Sequence, residues 1–208
     1  MRLVKFTHAC VRLDDGDRRL LIDPGVWTEP EAFDGVTDIL VTHEHDDHVD
    51  LGRLAGLAAG IRVFAPASVA AEAAEAAIPQ AVHVVEAGDE FTAAGFGVTA
   101  VGGQHAEIYD GLPGCANLGY VVEGVYHPGD SYFVPEVLVT TLLVPAAAPW
   151  GRHRDALDMT RAIAPRRAFP IHDRMLSSDV GYANFDGWME FKAGTGYARI
   201  PLGESVAL

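Results

Sequence analysis

The chain has 208 residues, 49% of them apolar, which suits one domain with a core large enough to do without disulfides. Fifteen basic residues against 29 acidic ones leave a formal charge of -14. That balance disfavours nucleic acid and anionic membranes as partners, because both reward a basic surface. Two cysteines cannot build a disulfide framework, so a cytoplasmic setting is expected, with neither a signal peptide nor an apolar membrane-spanning stretch.

In chain order, short strands are expected around Leu3–Thr7, Cys10–Leu13 and Arg19–Ile22, the last two joined by the Asp14-Asp15-Gly16-Asp17 turn. Ile39–Thr42 is a continuous apolar run of the kind buried on both faces. Helices are expected over Leu51–Ala59 and over the alanine-rich Ala67–Ala77, with Pro79 closing the second. Strands return at Val82–Val85, Val98–Val101, Leu118–Val122 and Val137–Val144, and Val125–His127 runs as a strand into a glycine turn. Arg154–Ile163 has helical spacing and stops at Pro165, Arg167–Ile171 is a strand, and a short helix is expected at Asp186–Phe191. Strands outnumber helices, and the helices fall in two groups. The order suits a single α/β domain over 1–208, two packed sheets with helices outside, better than strict βα alternation.

Nine histidines are many for this length, and the decisive segment is His43-Glu44-His45-Asp46-Asp47-His48 after the buried apolar run. Residues two apart in an extended chain point the same way, so His43 and His45 converge on one point. A turn beyond them brings Asp47 and His48 to a neighbouring point. Imidazole and carboxylate donors of this kind suit zinc, iron and manganese. From this composition, H-x-H-x-D-H arises by chance on the order of once per thousand such sequences. Further ligands are expected at strand ends, where layered α/β proteins collect their sites. His105 follows a Gly102-Gly103 turn, Asp130 ends Pro128-Gly129-Asp130, and His172 ends Phe169-Pro170-Ile171-His172.

Those motifs in that order, with Ile22-Asp23-Pro24-Gly25 before them and Thr7-His8-Ala9 at the start, resemble the metallo-β-lactamase superfamily. Its small bacterial hydrolases, similar to the ascorbate-phosphate lactonase group, are nearest in pattern. The resemblance implies a four-layer αββα sandwich of two pseudo-symmetric halves. It implies two divalent ions, zinc foremost with manganese or iron as alternatives. One would be held by His43, His45 and His105, the other by Asp47, His48 and His172, with Asp130 and a hydroxide bridging them. Asp47 and Asp130 are then the catalytic carboxylates, Asp47 also receiving a proton. Asp23 is expected to support the metal loop from beneath, and His8 and Trp150 to line the pocket.

The implied chemistry is hydrolysis of a small ester, lactone or phosphodiester. Two ions less two aspartates and a hydroxide leave a centre of +1, so the substrate is expected to be anionic. A mononuclear iron oxygenase on the same scaffold and a non-catalytic metal-binding module are the rival readings. His127 reads as structural, His83 and His153 as surface residues, and Cys10 and Cys115 as small, partly buried side chains. Pro145-Ala146-Ala147-Ala148-Pro149-Trp150 departs from the glycine turn and Thr-Met of many relatives, and its stiffness could line the substrate pocket.

Overall fold

The structure is a computed structural model that describes residues 1–58, 60–110, 112 and 114–208. The first half of the chain gives β1 (Arg2–Lys5), β2 (Val11–Asp15), β3 (Arg18–Ile22), β4 (Asp38–Leu40), α1 (Leu51–Ala55), β5 (Arg62–Ala65), α2 (Ala67–Glu75) and β6 (Ala81–Val84). The second half gives β7 (Glu90–Ala93), β8 (Phe96–Gly102), β9 (Leu118–Val122), β10 (Val125–His127), β11 (Thr141–Pro145), α3 (His153–Ile163), β12 (Arg167–Ile171), α4 (Asp179–Lys192) and β13 (Gly196–Tyr197). Last comes β14 (Ser205–Ala207), which returns to the first half.

Two mixed sheets result, ordered β14-β1-β2-β3-β4-β5-β6 and β13-β12-β11-β10-β9-β8-β7. Each half runs three antiparallel strands, β1-β2-β3 or β8-β9-β10, and then continues in parallel through β6 or β13. The outermost strand beside each antiparallel trio, β14 or β7, is antiparallel as well.

Alternation along the strands sorts side chains into three cores. Leu20 and Ile22 of β3 face inward with Leu13, Phe96, Tyr120, Leu143 and Phe169, which joins the two sheets face to face. Leu21 points the other way, to Ile39, Val63, Leu54 of α1 and Val69 of α2. On the opposite outer face Leu142 and Val144 meet Met159 of α3 and Phe185 and Met189 of α4. The layers are therefore α, β, β, α, as expected. No helix among the described residues is long and apolar enough to cross a membrane.

Several element boundaries differ from expectation. The first helix stops at Ala55, with Gly56 as its C-cap, and Ala59 of the expected span lies outside the described residues. The second stops at Glu75 because Ala77 takes a left-handed backbone (φ 52°). Val137–Thr140 is not strand, and Leu138 there is 81% exposed, so pairing begins only at Thr141. The last helix is 14 residues long rather than a short tail. Gly181, Asn184 and Gly187 weaken its intrinsic signal, and burial of Phe185 and Met189 overrides them.

Candidate metal centre

The carboxyl ends of the strands meet along one edge of the sandwich. After β4 the chain leaves the sheet at Thr42 and turns through His43–His48, where the His48 and Val49 amides both donate to the His45 carbonyl (2.9 and 3.0 Å). Gly25 is needed beneath this loop, since a Cβ there would lie 2.1 Å from the Asp47 carbonyl oxygen. On the facing sheet His105 follows β8, Asp130 follows β10 and His172 follows β12. Gly129, at φ +60°, makes the turn into Asp130, and its missing Cβ leaves room for Asn117 Oδ1 and Thr42. Asn117 Oδ1 then accepts the Asp130 amide at 2.9 Å.

Two groups of donors result. His43, His45, His105 and Asp130 form one, and His8, Asp47, His48 and His172 the other, the ligating atoms within each lying within 4.8 Å of one another. Asp130 faces both. Its Oδ1 lies 3.0 Å from His48 Nε2, while its Oδ2 lies 3.2 Å from His105 Nε2, 3.3 Å from His172 Nε2 and 3.7 Å from His43 Nε2. All seven residues expected as ligands are thus brought together.

Each imidazole's orientation follows from what its far nitrogen touches. His105 Nδ1 donates to the Ala106 carbonyl and His172 Nδ1 to the Ala147 carbonyl, both at 2.6 Å. His48 Nδ1 donates to Asp23 Oδ2 at 2.6 Å. Thr42 Oγ1 donates to the same Asp23 oxygen (2.7 Å) and accepts from His43 Nδ1 (2.9 Å). In all four rings the Nε2 lone pair is left facing the centre, the arrangement metal-binding imidazoles require. His45 is turned the other way, with Nδ1 3.0 Å from His43 Nε2 and Nε2 3.9 Å from Cys115 Sγ.

The fit to a cation can be tested on the polar atoms themselves. His48 Nε2, His172 Nε2 and Asp130 Oδ1 are buried and accept or donate no hydrogen bond. Leaving such atoms unsatisfied costs roughly 1–3 kcal/mol each, and nitrogen and carboxylate donors converging at this spacing are satisfied by divalent ions. The ionisation pattern agrees. Burial opposes charge on His172, yet Asp130 draws its pKa up to about 9. His48 is buried too, and Asp130 and Asp23 together raise it well above the usual imidazole range. Burial likewise works against ionised Asp130 and Asp47, but the neighbouring histidines hold both well below the ordinary carboxylate range. The carboxylates demand positive charge at this point, and a metal ion competes with protons for the same lone pairs.

His8, expected only to line the pocket, is a member of the second group. Its Nε2 lies 3.0 Å from Asp47 Oδ2 and its ring 3.9 Å from that of His172. The Arg174 amide donates to its Nδ1 at 3.4 Å, so Nε2 carries the proton and donates to Asp47. Burial lowers the His8 pKa to about 4 despite that carboxylate, which keeps the ring neutral. His8, Asp23 and His172 all take left-handed backbones (φ 65°, 51° and 52°), a costly conformation for these residues that clusters at functional sites. Trp150 is 8% exposed, and its ring lies 5.7 Å from those of His105 and His172.

The other histidines stand apart. His127 is fully buried, donates to the Ala9 carbonyl (2.8 Å) and accepts the Gly129 amide (3.1 Å), a structural role. His83 is exposed and stacks on Phe64, and His153 begins α3 against Phe185. Burial pushes the Cys10 thiol up to about 12 and, with Glu44, the half-buried Cys115 thiol up to about 11, so neither is an ionised nucleophile at neutral pH. Sequence reasoning did not reach the Ala106 and Ala147 carbonyls or the Thr42 relay. Backbone acceptors have no side-chain signature, though Thr42 adjoins the motif it serves.

Comparison with known proteins places this geometry. The family described as "Beta-lactamase superfamily domain" matches residues 2–172. A protein of Mycobacterium tuberculosis, Rv0786c, is 40% identical over 189 residues, covering 86% of this chain and 87% of its own. A UPF0173 metal-dependent hydrolase of Aeropyrum pernix is 32% identical over 200 residues, covering 82% and 81%. Among solved structures, Igni18, described as a metallo hydrolase from Ignicoccus hospitalis, superposes with a TM-score of 0.76 at 19% identity, covering 99% of this chain and 97% of that one.

Proposed function

The chain belongs to the metallo-β-lactamase superfamily and is a metal-dependent hydrolase of it, and we propose that it works with two divalent ions on a small ester, lactone or phosphodiester. The observation that carries the dinuclear reading is Asp130. One carboxylate faces the imidazoles of both groups, with one oxygen toward His48 and the other toward His105. His43, His45 and His105 would hold one ion and Asp47, His48 and His172 the other, with Asp130 between them. Imidazoles outnumber carboxylates in both groups, a donor set that suits zinc, with manganese or iron as alternatives.

Bound there, the ions would supply a water activated near neutral pH and polarise the bond under attack. The remaining work belongs to the chain. Asp47, whose side chain is 24% exposed where the other carboxylate is buried, accepts a proton from the nucleophile at Oδ1 while His8 holds Oδ2. Asp23 and Thr42 fix the rings of His48 and His43. Trp150 covers the His105 and His172 rings and keeps bulk water from them. The reacting group gathers negative charge beside a centre of net positive charge, which supports the anionic transition state of all three reactions. Two unpaired cysteines, one fully buried, support a reducing compartment, the cytoplasm.

Elemental analysis of the purified chain, with hydrolysis measured across ester, lactone and phosphodiester panels before and after chelation, tests this reading. Two equivalents of zinc or manganese and chelator-sensitive turnover are expected. One equivalent of iron, or no metal-dependent turnover on any panel, would refute it.

A further inference from the structure

A cavity of about 620 Å³ opens beside the first donor group, lined by His45 and His105 together with Glu44, Glu107, Ile108 and Leu112. Its volume is that of a small-molecule site, and two of its walls are groups that would hold an ion, so a molecule bound through its reacting group at the centre extends into it. The described lining residues include no lysine or arginine. Glu44 Oε2 accepts from Ser68 Oγ at 2.7 Å, and neither Glu44 nor Glu107 has an ion-pair partner among the described residues. An adjoining chamber of about 390 Å³ shares Glu107 and Ile108 and adds Asp110, Trp150 and Arg152. Its one cation among the described lining residues, Arg152, is 77% exposed and pairs through Nε with Asp155 at 2.9 Å, where it offsets part of the negative charge of Asp110. The apolar walls are open to solvent, Ile108 at 53%, Tyr109 at 72% and Leu112 at 58% exposure.

These observations separate two ends of one substrate. The centre itself attracts negative charge, but the space around its first donor group presents carboxylates and apolar side chains. We propose that this cavity receives the non-reacting part of the substrate and selects an apolar group that is cationic or uncharged, rejecting one that carries a second negative charge. The inference rests on the two-metal reading and narrows it: the anionic character expected of the substrate is confined to the reacting group. Glu107 is the specificity-determining residue, because it borders both chambers, and Glu44 reinforces it. Facing an exposed Glu107 and a half-buried Glu44, one unit of charge on the bound tail is worth roughly tenfold in affinity.

Binding is read without turnover by titrating the zinc-loaded full chain, by calorimetry, with three alkyl hydroxamates of equal length. Their tails end in an ammonium, a methyl or a carboxylate group. The ammonium tail should bind about tenfold tighter than the methyl tail, and the carboxylate tail about tenfold weaker, with the spread shrinking in high salt. Glu107→Gln, with zinc content checked, should compress the spread at least threefold. Adding Glu44→Gln should remove most of the rest. A carboxylate tail that binds as tightly as the methyl tail, or a ranking unchanged in the double variant, overturns the proposal. Because no hydrolysis is needed, a reversed ranking in a chain that still cleaves esters overturns the cavity's role alone. Failure of the chain to take up zinc overturns the metal reading and the cavity's role with it, whereas a chain that holds zinc and binds none of the three hydroxamates overturns the cavity's role alone.

Discussion

Replacing Asp23 by asparagine removes a single charge and almost no volume, and the structure makes it a severe change. Oδ1 of Asp23 accepts the Thr42 amide at 2.8 Å, and Oδ2 accepts both Thr42 Oγ1 (2.7 Å) and His48 Nδ1 (2.6 Å). Every one of these neighbours is a donor, so either orientation of an asparagine amide sets its NH2 against an N–H or O–H. With the NH2 toward Thr42 and His48, His48 must shift its proton to Nε2, which removes the lone pair facing the centre. Alternatively Thr42 rotates and no longer accepts from His43 Nδ1 at 2.9 Å. Two charge-assisted bonds to a fully buried carboxylate are lost at about 1.5–3 kcal/mol each, so the chelator-treated protein should lose about 3–6 kcal/mol in urea. Affinity for metal should fall roughly 10–100-fold. Because Asp23 reaches His48 directly and His43 through Thr42, both ions should be weakened, whereas Thr42→Val should weaken chiefly the one held by His43. Competition titration against a chromophoric chelator reads both affinities. An Asp23→Asn protein that keeps both within threefold, or that loses less than about 1 kcal/mol, would refute the relay.

Asp130→Ala should release or weaken both ions and abolish turnover, while His105→Ala should weaken mainly the first; two ions retained at full occupancy in Asp130→Ala would remove the bridging assignment. His8→Ala, measured by kcat and by metal stoichiometry, should lower kcat about 10–100-fold through a misplaced Asp47 and weaken the second ion, leaving the first in place. Gly129→Ala should cost more than about 3 kcal/mol, because a Cβ at φ +60° would lie 2.3 Å from Asn117 Oδ1 and 2.7 Å from Thr42 Cβ, and thermal unfolding would show it. Lys5 supplies the pH dependence. Its side chain is 2% exposed, Nζ donates to the His8 carbonyl at 2.7 Å, and burial lowers its pKa although Asp173, 3.5 Å away, opposes the shift. A lysine depressed in the folded state destabilises it fully below the folded pKa, and that penalty fades as pH rises toward 10.5. Wild type should therefore gain stability relative to Lys5→Met as pH increases just below 10.5, and an opposite slope in paired urea titrations would contradict the burial argument.

The candidate ligands were legible because histidines and aspartates stand together at strand ends, where short apolar runs and glycine turns announce the geometry. His43, His45, Asp47 and His48 fall in one loop, and His105, Asp130 and His172 each follow a run that reads as strand. The layer order was legible because strands outnumber helices and the helices fall in two groups, and the structure shows continuous apolar runs in β3 and β11 sending successive residues to different cores. What escaped the sequence was decided by tertiary contact. The strands β5, β7, β13 and β14 span two to four residues and exist because a neighbouring strand pairs with them, a long-range fact. α4 is held by Phe185 and Met189 against its own glycines. His8 reads as a pocket residue from its strand-end position and the resemblance of Thr7-His8-Ala9, and only the folded sheets bring it, 35 positions before the motif, to Asp47.

The internal repeat gives His8 a further meaning. Matching the sheets strand for strand sets β1 against β8, β3 against β10 and β4 against β11. His8 lies three residues beyond β1, and His105 lies three beyond β8. Asp23 lies one beyond β3 and Asp130 three beyond β10, each a buried carboxylate at the end of its half's antiparallel trio. The counterparts then do related work on opposite groups. His105 Nε2 faces Asp130 Oδ2 at 3.2 Å and His8 Nε2 faces Asp47 Oδ2 at 3.0 Å. The symmetry breaks at β4 and β11. The loop after β4 carries four candidate ligands, whereas the loop after β11 carries none and instead offers the Ala147 carbonyl to His172 and the Trp150 ring as a cover. Two copies of one supersecondary unit have thus divided the centre between them, one gathering donors in a single loop and the other spreading them over three strand ends. That division explains why the two donor groups lie side by side at the seam, and why Asp130, projecting from the second unit into the first unit's loop, is the residue placed to touch both.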